Sequence, residues 1–128
     1  MNKPFKPSGY NSASPYFVVK GAQKLVDLVK KIFNATEMRR YDMPDGTIMH
    51  IELKIDDSII MMGDSSDQFP PIKQLVHVYV SNVDEVFDRA IKAGCISIEP
   101  PTQRDGDPDK RGTFKDFAGN TWSIGTQL

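Results

Sequence analysis

His50 and His77 are the only imidazoles among 128 residues, and Cys95 is the single thiol. A catalytic divalent cation needs about three protein ligands from imidazole, carboxylate or thiolate, so a metal site here would have to draw on carboxylates. His50-Ile51-Glu52 places an imidazole and a carboxylate two residues apart, which on a strand is the same face. His77-Val78-Tyr79 pairs an imidazole with a phenol in the same way, and Ser123 follows Trp122 near the C-terminus. A histidine beside a carboxylate moves protons or holds a metal, and phenols and hydroxyls orient ligands by hydrogen bonding. The plainer reading of His77 is a half-buried imidazole satisfied by a neighbour, and that of His50 and Glu52 is a solvated strand face.

Other reactive types read as structural. Met38, Met43, Met49, Met61 and Met62 have no second class of soft ligand beside them, so they are packing residues. Cys95 follows a helix stop in an apolar run, where burial makes it an inert small hydrophobe. The stretch Gln103 to Lys110 carries aspartates at 105, 107 and 109. It lacks the glutamate and the mid-loop glycine of a calcium loop and reads as a solvated, mobile loop able to cover a cleft.

These residues must be positioned by one domain, because 128 residues fit one core and little more. Sixteen basic against seventeen acidic residues give a net charge of -1, which provides no field to gather nucleic acid or anionic membrane. The N-terminal dozen residues contain no apolar stretch long enough for a signal peptide or a span, and a cytoplasmic protein is expected. Residues 1–13 are rich in Pro, Gly, Ser and Lys and read as a loosely held arm, with a single domain over 14–128.

Within that domain the pattern repeats. Tyr16 to Ala35 and His77 to Gly94 each start with a β-branched and aromatic run and continue as an amphipathic helix. Asn82 is the expected N-cap of the second helix and Gly94 its stop. Strands are predicted over 37–41, 47–55 and 58–62 in the first half. In the second they fall at 95–99, 112–116 and 121–126, with a long polar loop over 100–111. The fold class is therefore α+β, with two tandem βαβββ modules at about 14–64 and 74–128 that form a half-open barrel around a cleft.

Strand alternation assigns faces. Met49, Ile51, Leu53 and Ile55 should lie under the helix, which leaves His50, Glu52 and Lys54 on the other side. Val76, Val78 and Val80 should face the second helix, and Trp122 and Ile124 form the bulky row of the last strand. By the repeat offset Tyr16 corresponds to His77. The cleft is then expected to be lined by Tyr16, Val18, His50, Glu52, Ile60, His77, Tyr79 and Ser123, a set suited to binding a small organic molecule.

The doubled order and the segments PYFVVKGAQKLVDLVKKIF, DGTIMHIELKIDDSIIMMGD, VHVYVSNVDEVFDRAIKAG and RGTFKDFAGNTWSI resemble the vicinal oxygen chelate superfamily from Ser14 to Thr126. Within it they resemble the glyoxalase and bleomycin-resistance group, in particular the PhnB-like branch. In metal-dependent members the first and last strand of each half carry one ligand each. Carried over, His77 fills its slot with a good ligand. Tyr16 or Ser14 stands in the matching slot of the first half, Ser123 stands where glutamate is usual, and Ile60 or Met61 is its counterpart. The turn Asp116-Phe117-Ala118-Gly119-Asn120 departs from the family's Asp-Pro-Phe-Gly-Asn.

The resemblance thus implies a protein that holds a small molecule in its cleft without a metal cofactor and without catalysis. Its alternative is a lyase, isomerase or dioxygenase with a divalent metal held by His77, His50 and Glu52. A structural module without a small ligand is the third expectation. Relatives of this size pair as homodimers, so a second copy of the chain is the expected partner.

Overall fold

A computed structural model describes residues 3–128, so the part of the expected arm at residues 1 and 2 lies outside the described residues. The elements follow the order β1 (Tyr16–Val19), α1 (Ala22–Phe33), β2 (Thr36–Asp42), β3 (Ile48–Ile55), β4 (Ser58–Asp64), β5 (Leu75–Tyr79), α2 (Val83–Lys92), β6 (Ile96–Gln103), β7 (Asp109–Lys115) and β8 (Thr121–Gln127). They form two four-stranded sheets, ordered β1-β4-β3-β2 and β5-β8-β7-β6. In each sheet the first strand runs parallel to the last and the remaining pairs are antiparallel. This is the βαβββ unit twice over.

Both helices form because apolar residues recur at helical spacing, and the two are capped differently. Asn82 accepts a hydrogen bond from the Glu85 amide, satisfying one of the free donors of the first turn. The start of α1 has no side chain of its own for this. Gly21 sits there at φ 86, and Asp64 at the end of β4 accepts from the Gly21 and Ala22 amides and from Ile48 of β3. The carboxylate thus ties helix and sheet together at a helix N-terminus, where negative charge is favoured.

The two modules meet on the helix side. Leu25, Val26, Val29 and Ile32 of α1 and Val83, Val86, Phe87 and Ala90 of α2 belong to one apolar cluster with Phe17, Ile51, Met62, Phe114 and Trp122. Phe17 of the first module stacks on Trp122 of the second with ring centroids 5.2 Å apart, and Phe33 lies 5.3 Å from Trp122 and 6.5 Å from Phe114. The guanidinium of Arg89 donates twice to the Ile32 carbonyl at the end of α1. The opposite faces of both sheets remain open, with Tyr41 and Met49 exposed on the first and Leu75, Tyr79 and Ile96 on the second.

Two expectations change. Met49 does not lie under the helix: it is 54% exposed, and Ile48 at 2% takes the buried position. The pairing of β2 with β3 slips between Tyr41 and Asp42, and such a bulge moves the residues beyond it to the other face. The stretch 100–111 is not a long loop either. β6 runs to Gln103 and β7 begins at Asp109. Pro100 and Pro101 lie in β6, an edge strand whose register to β7 shifts between Glu99 and Thr102, a place where the missing amide is tolerated. Asp107 and Asp109 are paired to Arg111 at 2.9 Å each, which accounts for these two aspartates without a cation.

Candidate functional site

The strand registers superimpose the two modules residue by residue. Tyr16 lies opposite Met61 on β4, which is opposite Glu52 on β3. His77 lies opposite Ser123 on β8, which is opposite Thr113 on β7. Residues directly opposite share a face, so Tyr16, Met61 and Glu52 project from the open face of the first sheet as His77, Ser123 and Thr113 do from the second. Gly63 and Gly125 stand two residues further along. The correspondence of Tyr16 with His77 read from the repeat is the one these registers show.

On the first sheet a chain of hydrogen bonds crosses the open face. Tyr10 donates to Glu52 Oε1 at 2.5 Å, His50 Nε2 lies 2.8 Å from Glu52 Oε2, and the Tyr16 hydroxyl lies 2.9 Å from His50 Nδ1. Glu52 is only 5% exposed. Burial alone would raise its carboxyl, but the hydrogen bonds from Tyr10 and His50 and the positive charge of Arg39 outweigh that and hold it below the ordinary range. The ionised carboxylate only accepts, so His50 carries its proton on Nε2. In the neutral ring Nδ1 is then the acceptor and the Tyr16 hydroxyl the donor. Burial, and then Glu52, raise the Tyr16 phenol above its usual value.

On the second sheet His77 Nδ1 meets the Ser123 hydroxyl at 2.9 Å, and the His77 ring packs edge-on against Tyr79 with centroids 4.8 Å apart. The Tyr79 hydroxyl donates to the buried Asp109 at 2.6 Å, and Arg111 bonds the same carboxylate oxygen at 2.9 Å. Burial, and then the charge of Arg111, push the His77 imidazole below its usual value and favour the neutral ring.

A cleft of about 450 Å³ separates the modules, lined by Asn11, Ala13, Pro15, residues 55–60 and residues 76–79. Ile60 and His77 therefore meet in it, together with Tyr79. Ile60 is otherwise packed into the core at 4% exposure, opposite Leu53. Tyr16, His50, Glu52 and Ser123, expected in the lining, are not among its residues: the first three are gathered in the first network and Ser123 joins His77 in the second, because their hydrogen bonds hold them on the open faces of the sheets. Val18 lies opposite Gly63 at 8% exposure. Cys95 is buried, and burial pushes its thiol up to about 11.

Sequence reasoning missed Tyr10, Asn11, Asp109 and Arg111. Asn11 bonds both backbone groups of Ile59, with Oδ1 at 2.9 Å from the amide and Nδ2 at 3.4 Å from the carbonyl, where β4 runs beyond the end of β1. Tyr10 and Asn11 lie in the stretch expected as a loosely held arm, and they fasten it to the sheet. Nothing in the periodicity of a Pro- and Ser-rich segment marks such anchors. Asp109 and Arg111 alternate with Thr113 along β7, a signal that the neighbouring prolines and glycine obscured.

Residues 13–124 match the family model described as the glyoxalase/bleomycin resistance protein/dioxygenase superfamily. The chain belongs to that superfamily. An uncharacterized protein of Mycobacterium bovis is 32% identical over 124 residues, covering 88% of this chain and 80% of its own. Among solved structures, TioX from a Micromonospora species has a TM-score of 0.75 at 22% identity and covers 91% of this chain and 100% of that one. The fosfomycin resistance protein FosX of Listeria monocytogenes, solved with Mn(II) and sulfate, has a TM-score of 0.71 at 17% identity and covers 92% and 90%. At those identities the structures show a shared fold.

The superfamily includes metal-dependent members, so the residues present must be tested for the fit. A ligating imidazole must give one nitrogen lone pair to the metal, whereas both ring nitrogens of His50 and both oxygens of Glu52 are engaged by the protein. Ser123, a poor ligand, is bonded to His77. Among the described residues no three His, Cys, Asp or Glu side chains converge to hold a metal ion, so His77 does not complete a cluster with His50 and Glu52 within one chain. Within one chain these donors are committed to one another rather than gathered around a common point.

Proposed function

We propose that this superfamily member binds a small organic molecule in the cleft between its modules and does so without a catalytic metal. The observation that carries the reading is the engagement of His50 and Glu52 with each other and with Tyr16 and Tyr10, which leaves those ligand-type atoms committed to the protein. The cleft supports it with mixed lining: apolar Ile59, Ile60, Val76 and Val78 beside polar His77, Tyr79 and Asn11. Apolar walls with a few placed polar groups are what a small organic ligand requires. Placement in the PhnB-like branch, near the bleomycin-resistance proteins, belongs to the same proposal.

A homodimer is part of it. Both open faces expose large side chains, among them Tyr41 at 52%, Met49 at 54%, Leu75 at 74% and Ile96 at 63%, and exposed apolar side chains that share a face favour an interaction surface there. The decisive experiment is elemental analysis of protein purified without chelator, followed by thermal melts with a panel of small aromatic and aliphatic compounds. The expected result is less than a tenth of a metal ion per chain, roughly, and a melting point raised by at least one compound, as binding to the folded state requires. A stoichiometric, tightly held transition metal overturns the reading. A monomeric mass at micromolar concentration removes the dimer.

A further inference from the structure

The first network has the ordering of an acid–base triad. Glu52 fixes His50 with the proton on Nε2, and His50 directs its Nδ1 lone pair at the Tyr16 hydroxyl 2.9 Å away. A carboxylate, an imidazole and a hydroxyl in that sequence is the arrangement by which a weak nucleophile is activated. The hydroxyl also has room. Its neighbour Gly63 carries no side chain, a Cβ there lying 3.4 Å from the Tyr16 oxygen, and Tyr16 is 37% exposed. The other groups facing the network are Tyr10 on the second oxygen of Glu52, Arg39 over the Tyr10 ring at 5.4 Å, and Tyr41 with its ring 6.2 Å from His50.

We propose that Tyr16, His50 and Glu52 are a metal-free triad that acts on small molecules with an electrophilic carbonyl carbon, with the Tyr16 oxygen as the attacking atom. This goes beyond binding in the cleft, because Tyr16, His50 and Glu52 stand on the open face of the first sheet and not among the cleft-lining residues. In the step, the Tyr16 oxygen bonds to the carbonyl carbon of an ester, the carbon–oxygen bond to the leaving alcohol or phenol breaks, and the phenolic proton passes to His50 Nδ1. The imidazolium returns that proton to the leaving oxygen. Water then adds to the acyl-tyrosine carbonyl, which releases the carboxylic acid and restores the Tyr16 phenol. Tyr16 is the catalytic residue, His50 its base, and Glu52 the positioning residue that sets the tautomer.

The same chain supplies controls. Tyr41 and Tyr79 are more exposed than Tyr16, at 52% and 59%. Tyr41 has no hydroxyl partner among the described hydrogen bonds, and Tyr79 donates to a carboxylate rather than to an imidazole. The full-length protein is treated with 4-nitrophenyl acetate, and acetylation of each tyrosine is followed by peptide mass spectrometry. Tyr16 is expected to acetylate at least about ten-fold faster than Tyr41, given the usual reach of general-base assistance. His50→Gln should bring it down to the Tyr41 rate, and Glu52→Gln should lower it several-fold. An unchanged Tyr41 to Tyr79 labelling ratio verifies that each variant is folded.

A network that merely satisfies the buried Glu52 predicts that Tyr16, the least exposed of the three, labels slowest. That result, or a His50→Gln protein as selective as the parent, overturns the proposal. If Tyr16 is unselective while a compound from the melting panel still stabilises the protein, the triad falls and the binding reading stands. Loss of both removes the binding reading of the cleft together with the triad.

Discussion

The two modules share one architecture and register and have diverged in what they place on it. At matching positions the first sheet presents Tyr16, Met61 and Gly63 where the second presents His77, Ser123 and Gly125. The first builds a carboxylate–imidazole–phenol chain around a neutral-to-negative centre, and the second balances Arg111 against Asp107 and Asp109. Their final hairpins differ as much. The first turns on Asp56 and Asp57 alone, between the paired residues Ile55 and Ser58. The second uses residues 116–120, organised by Asp116, which accepts from the Ala118 and Asn120 amides, the Asn120 side chain and Trp122 Nε1. Duplicated backbone therefore tolerates new surface chemistry on the open faces, while the helix side stays apolar in both copies because each module lends that side to the other.

That shared core makes the sharpest test. Trp122→Ala removes the ring that Phe17, Phe33 and Phe114 pack against and should cost about 3–5 kcal/mol. Urea denaturation followed by separate probes in each module should show one transition moved as a unit. Two separated transitions would mean that the modules are independent.

The turns come next. Asp116→Ala strands several buried donors and should destabilise by about 3 kcal/mol. Asp57→Ala, at an exposed hairpin, should stay within about 0.5 kcal/mol, and equal losses would erase the contrast. The two glycines should also part company in denaturation midpoints. A Cβ on Gly63 would lie 2.6 Å from the Met49 carbonyl oxygen, which is backbone, so Gly63→Ala should cost about 1–3 kcal/mol. On Gly125 the nearest atom is His77 Cε1 at 3.3 Å, a side chain able to give, and Gly125→Ala should cost clearly less.

The smallest effects distinguish the two networks by pH. Glu52 is lowered in the folded state, so its contribution to stability is present above the ordinary carboxylate range and is lost as pH falls through the lowered native value. His77 is lowered below 6.5, so its contribution is present above that value and fades earlier on acidification. Stability measured against pH should lose its upper shoulder in His77→Gln and its acid limb in Glu52→Gln. A single limb that moves equally in both variants would mean that the networks titrate as one.

Much of the fold was legible because local periodicity reports it. The stripe Leu25, Val26, Val29 and Ile32 is buried, Asn82 caps α2, and Trp122 and Ile124 are the buried row of β8. Errors arose where pairing rather than pattern decided. The bulge that exposes Met49 depends on how β2 registers with β3, and β6 continues through Pro100 and Pro101 because it lies at an edge. The side chains of the two networks were legible by chemical type but not by partner. Chemical type nominated Tyr16, His50, Glu52 and His77, whereas their partners lie 34 positions apart for Tyr16 with His50 and 46 for His77 with Ser123.

By itself the amino-acid sequence determined the repeat, the two helices, the strands that follow them and the scarcity of imidazole and thiol, since each is a property of composition or of short-range spacing. Tertiary structure alone decided that Tyr10 reaches Glu52 across 42 positions, that the modules join through Phe17 and Trp122, and that His50 and His77 serve separate networks. Those outcomes depend on which strand lies beside which and on which face is shared with the other module. A side chain's partners across a sheet are set by register and packing, and no local periodicity encodes them.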